Sequence, residues 1–356
     1  MKKAALALLL FAGVLALTQT QPAPPAPVDR SMPGEKHLRN VRQLTFGGEN
    51  AEAYFSADGK QLIFQSTREG HKCDQMYTMN LDGSDVHLVS TGKGRTTCGF
   101  FFPDGHRILF SSTHPAGEEC PPPPDRSKGY RWKIYPTYDI FTANPDGTEL
   151  KRLTKDQGYN AESVVSPDGK KILFTSTRNG DLDIYTMNPD GSHVKQLTHE
   201  LGYDGGAFFS PDSKWIVYRA FHPKTQQEIQ DYKELLKQDL IKPTWLELWI
   251  MRADGSDKRQ VTKLGAASFA PFWFPDGKRI IFSTNYNGEG QTGGGMGNFE
   301  LYAVNLDGTG LERITFNPTF DGFPMFSPDG KKLAFSSNRN ASRPHETNVF
   351  IADWVE

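Results

Sequence analysis

Two histidines stand out in this 356-residue chain, because His114 and His222 occupy the same place in a repeated unit and each opens a long insertion. Imidazoles beside carboxylates are a common means of moving protons. Aligning the units on the Asp of a recurring Pro-Asp-Gly turn puts these histidines in a ring with Arg68, Arg178, Tyr286 and Arg339, ten residues after the turn. Eight residues before the turn stand Asn50, Thr96, Asn160, Asp204, Ser268 and Asp321, all short and hydrogen-bonding. Two residues further on come Glu52, Cys98, Glu162, Gly206, Ala270 and Phe323. Glu52, Glu162, Asp204, Asp321, His114 and His222 would thus gather at one end of a common axis. They read as an acid and base set for a hydrolase or lyase, or as a polar mouth that recognises a peptide or glycan. No pair among them has the spacing a defined reaction demands, so no residue is assigned as catalytic and binding is the favoured reading. Two structural readings compete with it. Short polar side chains in the first ring also cap turns through local backbone bonds, and Arg178 has Asp183 within reach for an exposed ion pair worth little.

Cys73, Cys98 and Cys120 map to the same end of units 1 and 2. An odd count in an exported chain predicts one disulfide and one spare thiol. Cys98 with Cys120 is the favoured pair and Cys73 with Cys120 the alternative. With His114 they match no zinc-ligand spacing, and neither a metal nor another cofactor is assigned.

The repeat is what must position these residues. Its clearest copy is 166–192, SPDGKKILFTSTRNGDLDIYTMNPDGS, where two Asp-Gly turns frame a pair of short strands. First turns sit at Asp58, Asp104, Asp168, Asp212, Asp276 and Asp329; second turns at Asp82, Asp146, Asp190, Asp254 and Asp307. Around Asp168 the unit reads as strand a (160–166), b (171–177), c (183–188) and d (193–198), with Val, Ile, Phe and Tyr bounded by Gly, Pro and Asp. A period near 45 residues with four strands is the mark of a propeller blade. Six first turns predict an all-β, six-bladed propeller of four-stranded antiparallel blades. The last unit (a 320–327, b 332–337, c 348–353) lacks strand d, and 38–46 matches strand d of other units with nothing before it. The N-terminal strand should therefore close the ring, which removes two free sheet edges.

The pattern S-P-D-G-K-x-I-x-F-T-S-x-R, then D-I-Y-T-M-N-x-D-G-S and x-x-x-L-T, resembles the repeat of TolB-type six-bladed propellers, found in the periplasmic Tol-Pal component and in the propeller domains of tricorn-like and prolyl-oligopeptidase-like peptidases. The resemblance covers 38–356 and implies a binding or scaffolding module, or an accessory subunit of a peptidase or envelope transport complex. The chain carries no G-x-S-x-G nucleophile elbow.

From each second-turn Asp to the next first-turn Asp the count is 22 in all five intervals, while the other half of the unit runs 24, 42, 22, 42 and 31. All insertions therefore fall in loops between strands b and c, which share one face with the d-to-a links. Blade 2 inserts within 114–138, bringing Tyr130, Trp132, Tyr135 and Tyr138; blade 5 inserts a Gly-rich loop, 285–298. In blade 4, Ile229, Tyr232, Leu236 and Leu240 recur at helical spacing behind a Thr225/Glu228 capping box, with Pro243 as the stop. Trp132 and the polar rings make this b-c loop face the expected ligand surface.

Lys2 and Lys3 followed by the apolar run 4–17 read as a signal peptide over 1–20, too short to span a bilayer stably, and predict a periplasmic or secreted protein. Pro22–Pro27 marks a Pro-rich linker over 21–37, and 38–356 is the propeller. With 40 Lys+Arg against 42 Asp+Glu, the charge of −2 argues against a nucleic-acid partner. The expected protein is a monomer that takes a protein, peptide or glycan.

Overall fold

A computed structural model describes residues 28–125, 127, 129–288 and 297–356. The signal-peptide stretch, Pro22–Pro27 and most of the Gly-rich loop lie outside the described residues. In blade 3, Asn160–Val165, Ile172–Ser176, Asp183–Met187 and Lys195–Gln196 pair in that order, each antiparallel to the next. The first turn locks itself: Asp168 Oδ1 accepts Ser166 Oγ at 2.7 Å and the Lys170 amide at 3.1 Å, and Gly169 takes φ +71°, where a side chain would be strained. Strand d is shorter than expected, two residues instead of six, and lies at the outer edge with a sheet partner on one side alone.

Six such four-stranded sheets make the ring, a six-bladed propeller. Leu38–Gln43 pairs with Asn348–Trp354 and completes the sixth blade, as the sequence predicts. Strands b and c are buried almost throughout, so the core runs around the ring as apolar layers between blades. Described residues ahead of Leu38 are held against the ring: Glu35 is buried and accepts from Arg339 Nη1 and Nη2 at 3.1 and 2.8 Å, while the same guanidinium reaches Asp321 at 2.7 Å.

The blade 4 insertion forms α1 (Gln226–Leu236), whose Thr225/Glu228 capping box is present. It ends before Leu240. That residue instead opens a two-residue strand, Leu240–Ile241, which pairs with Trp132–Lys133 from the blade 2 insertion. The two insertions thus meet above blade 3 and share an apolar cluster that includes Ile134, Tyr135, Tyr159, Tyr203 and Tyr232.

Candidate functional site

Strand a of every blade carries the same irregularity. Its pairing with strand b shifts register in the middle, and the residue six before the turn Asp is left-handed in all six blades: Glu52, Cys98, Glu162, Gly206, Ala270 and Phe323 have φ between 49° and 56°. Five of these bear side chains, a conformation that costs about 1–2 kcal/mol each. Hydrogen bonds from the neighbouring blade hold it in place. The Glu52 amide donates to Ser336 Oγ (3.2 Å), that of Cys98 to Gln65 Oε1 (3.3 Å) and that of Phe323 to Ser283 Oγ (3.0 Å). The bulge turns the second predicted ring onto the propeller axis.

There the ring lines a small chamber of about 50 Å³, together with Tyr54, Val164, Phe208 and Arg219. Arg219 was not among the predicted residues, yet it dominates the site. It comes from strand b of blade 4, is 8% exposed, ion-pairs with Glu162 and donates to Tyr203 Oη at 2.8 and 3.0 Å. Glu162 also accepts Thr175 Oγ1 (2.7 Å), Tyr203 Oη (3.0 and 3.1 Å) and the Gly206 amide (2.9 Å). A signal for Arg219 does exist in the alignment. Seven residues after the turn Asp the other blades carry Gln65, Ser111, Thr175, Ser283 and Ser336, and the one arginine accompanies the one glycine in the bulge ring. A Cβ on Gly206 would lie 2.7 Å from Arg219 Cζ.

Glu52 is the other carboxylate of the chamber. Burial pushes its pKa up to about 7, against the lowering effect of Arg219. Tyr54 Oη donates to it at 3.4 Å. Burial also raises the Cys98 thiol well above its usual range, which makes it a poor nucleophile.

Both ends of the chamber are stoppered. On the b-c loop side Trp132 lies over Arg219, 4.9 Å from guanidinium carbon to ring centre, and meets Tyr203 and Phe269 edge-on. On the other side Tyr54 and Phe208, from opposite blades, approach to 5.7 Å between centroids, with Phe100 and Phe272 beside them.

The disulfide joins Cys73 to Cys120, with Cα atoms 5.9 Å apart, and Cys98 is free. This corrects the favoured Cys98–Cys120 pairing. The bulge directs the Cys98 side chain into the chamber, whereas Cys73 sits in the b-c loop of blade 1, beside the blade 2 insertion.

The first predicted ring is not at a mouth. Asn50, Asn160, Asp204 and Asp321 are all at most 1% exposed and bond to their own blades and the links before them, Asn50 also to Thr347 and Asn348 of blade 6. Asn50 Oδ1 accepts Ser66 Oγ (2.7 Å) and its Nδ2 donates to Gly47 O (2.7 Å); Asn160 Oδ1 likewise accepts Ser176 Oγ at 2.8 Å. They tie strand a to strand b and to the link before it, the turn-capping alternative. The third ring also folds back. Arg68, Arg178 and Arg339 lie over the aromatic pairs Phe64/Tyr77, Phe174/Tyr185 and Phe335/Phe350 of their own blades, and His114 rests on Phe141. Arg178 pairs with Asp156 at 3.3 Å instead of Asp183, which is held by Thr198 and Gln196. His222 is clamped between Asp204 (3.0 Å) and Glu200 (3.3 Å). Burial alone would lower its pKa, but the bond and charge of Asp204 outweigh it and raise it.

Comparison with known proteins places this geometry. The family described as the TolB beta propeller domain matches residues 135–244. A TolB homolog of Chlorobium luteolum is 26% identical over 149 residues, 35% of this chain and 34% of that protein. The chain's matches span only about a fifth to a third of the curated relatives. Among solved structures, TolB from Acinetobacter baumannii aligns with a TM-score of 0.53 and 17% identity over 87% of this chain and 64% of its own. A gluconolactonase from Xanthomonas campestris aligns with 0.58 and 14% identity over 90% and 91%. At these identities the structural likeness speaks for the fold. Taken with the six closed blades and the Pro-Asp-Gly turns, it makes this chain a TolB-type six-bladed β-propeller.

Proposed function

We propose that the chain is an exported binding module, delivered to the periplasm by its first 20 residues, that holds a protein or peptide partner on the b-c loop face. The observation that carries this is the joining of the blade 2 and blade 4 insertions into one lid through the Trp132–Lys133 and Leu240–Ile241 strands. Two long loops that only drifted would have no reason to pair across an intervening blade. The same face carries the exposed aromatics Phe46, Tyr130, Trp245 and Phe316, at 73, 38, 44 and 39%. Aromatic side chains on a rigid frame are favoured anchors for a protein partner. The chamber beneath the lid, at about 50 Å³, lies well below the roughly 300 Å³ at which small-molecule sites begin, which favours binding on the face over turnover on the axis. Relatives named as Tol-Pal components support an envelope protein as partner. The test is photo-crosslinking in the native envelope from Tyr130 and Trp245, compared with Leu150 and Val194, exposed beside the c-d turns of the opposite face. Adducts are expected from the first pair alone. Adducts from the second pair alone would assign the wrong face.

A further inference from the structure

His222 stands where the lid is rooted. It follows strand b of blade 4, Trp215–Phe221, and comes three residues before Thr225, the N-cap of α1. Both of its ring nitrogens face carboxylates: Nε2 lies 3.0 Å from Asp204 Oδ1, and Nδ1 lies 3.3 Å from Glu200 Oε2. A neutral imidazole has one N–H, so it donates to one carboxylate and turns a lone pair on the other. The two contacts together need two protons, whichever partner of the 3.0 Å bond holds the shared one. The groups around the ring are acidic or already engaged. Asp181, from the b-c loop of blade 3, adds its charge, and Asp183, whose pKa burial pushes up to about 7, also feels Asp181 and Asp204. Glu247, which opens strand c of blade 4, accepts Thr262 Oγ1 (2.6 Å) and the Gly265 amide (2.7 Å). Trp249 meets the imidazole edge-on at 5.2 Å, and burial keeps the Tyr218 phenol protonated. Of the cations, Arg219 pairs with Glu162 and Arg178 with Asp156, while His199 and Lys224 are exposed.

The same cluster seats the lid. Asp181 Oδ1 accepts the Tyr232 hydroxyl of α1 and the Leu182 amide, and its Oδ2 accepts the amide of Gly202 at 3.0 Å, two residues beyond Glu200. The Asp204 amide donates to Leu182 O at 2.9 Å. The link 199–203 thus joins the carboxylates that grip His222 to the one that holds α1. We propose that His222 is a proton-operated latch for the lid: charged, it fastens Glu200 and the link; neutral, it releases the link and loosens α1 on Asp181. Burial lowers the imidazole's pKa, but Asp204, Glu200 and Asp181 raise it above the ordinary 6.5. The stabilising contribution is therefore complete below 6.5 and is lost as pH rises past the raised value.

Hydrogen exchange of the full chain at pH 6 and pH 9, read by mass spectrometry and converted to protection factors, tests this on Gln226–Leu236, with Gln61–Ser66 of blade 1 as the control. Between the two pH values the protection of α1 should fall about 10-fold more than that of the control. His222→Gln should leave α1 poorly protected at both. Glu200→Gln puts a group that can donate or accept in place of an exposed carboxylate, so either form of the ring is satisfied and α1 should stay protected at both. A parent whose α1 is equally protected at pH 6 and pH 9, or either variant that keeps the parent's fall, would overturn the latch. The measurement contains no partner, so its outcome is independent of the crosslinks from Tyr130 and Trp245.

Discussion

At the residue scale, the axis is held by an exception to the repeat. Where other blades carry a short polar side chain and a Cβ in the bulge ring, blade 4 has Arg219 and Gly206, and the guanidinium fills the missing Cβ's space. Arg219→Met should therefore cost ~3 kcal/mol in chemical denaturation, because it leaves Glu162 buried without its counter-charge. Gly206→Ala should also destabilise, since the Cβ meets Arg219 and the φ of +56° strains it. If Arg219→Met/Glu162→Gln lost as much as the sum of its single variants, the two would not be coupled as described. Glu52 gives a pH signature. Folded, it keeps its proton to about pH 7; unfolded, it loses it near the ordinary 4.5, so its stabilising contribution is complete below 4.5 and is lost as pH rises to 7. Glu52→Gln should raise stability by ~2 kcal/mol at pH 8, allowing for chamber water, and leave it unchanged at pH 4. A gain of equal size at both pH values would mean the carboxyl titrates normally.

At the scale of elements, the lid has three separate restraints: the disulfide, the strand pair across blade 3, and Tyr232 on α1, whose hydroxyl bonds Asp181. The bridge closes a separation of 47 residues, worth about 4 kcal/mol in the chain-entropy account. Cys73→Ser should lower the melting temperature, whereas Cys98→Ser should leave the bridge intact. Non-reducing peptide mapping should link the peptides of Cys73 and Cys120 and find Cys98 alkylated only after unfolding. A Cys98–Cys120 peptide would refute the pairing. Trp132→Ala removes the stopper over Arg219 and should lower affinity for the partner more than it lowers stability, measured by binding to the crosslinked species once identified.

For the whole molecule, closure of the ring is the dominant structural event. Leu38–Gln43 covers the edge of Asn348–Trp354, and Glu35 fastens the segment through the buried Arg339–Asp321 pair. Removing residues 28–43 should uncover that edge and yield aggregates by light scattering. Glu35→Ala should be milder, leaving the strand paired but Arg339 with one carboxylate fewer, and should show as earlier unfolding without loss of the monomer peak. A truncated chain that stayed monodisperse with an unchanged melting temperature would contradict closure by this strand.

Blade number, strand order, ring closure and the face of the insertions were legible in the sequence, because turn chemistry and strand alternation are local and the repeat states them six times. The capping box at Thr225 was legible for the same reason. What a residue does on the axis was not local. The alignment placed all three rings at one end of the axis, yet the strand a bulge sends the second into the chamber while the other two are held away from it by bonds to their blades and links. That bulge is invisible in composition, since five of its six left-handed positions are not glycine. Arg219 reaches Glu162 across 57 positions of sequence, and Cys73 rather than Cys98 meets Cys120, because the choice rests on where neighbouring blades place their loops. Tertiary structure alone decided the partners, since distance between blades is set by the curvature of the ring and not by position along the chain.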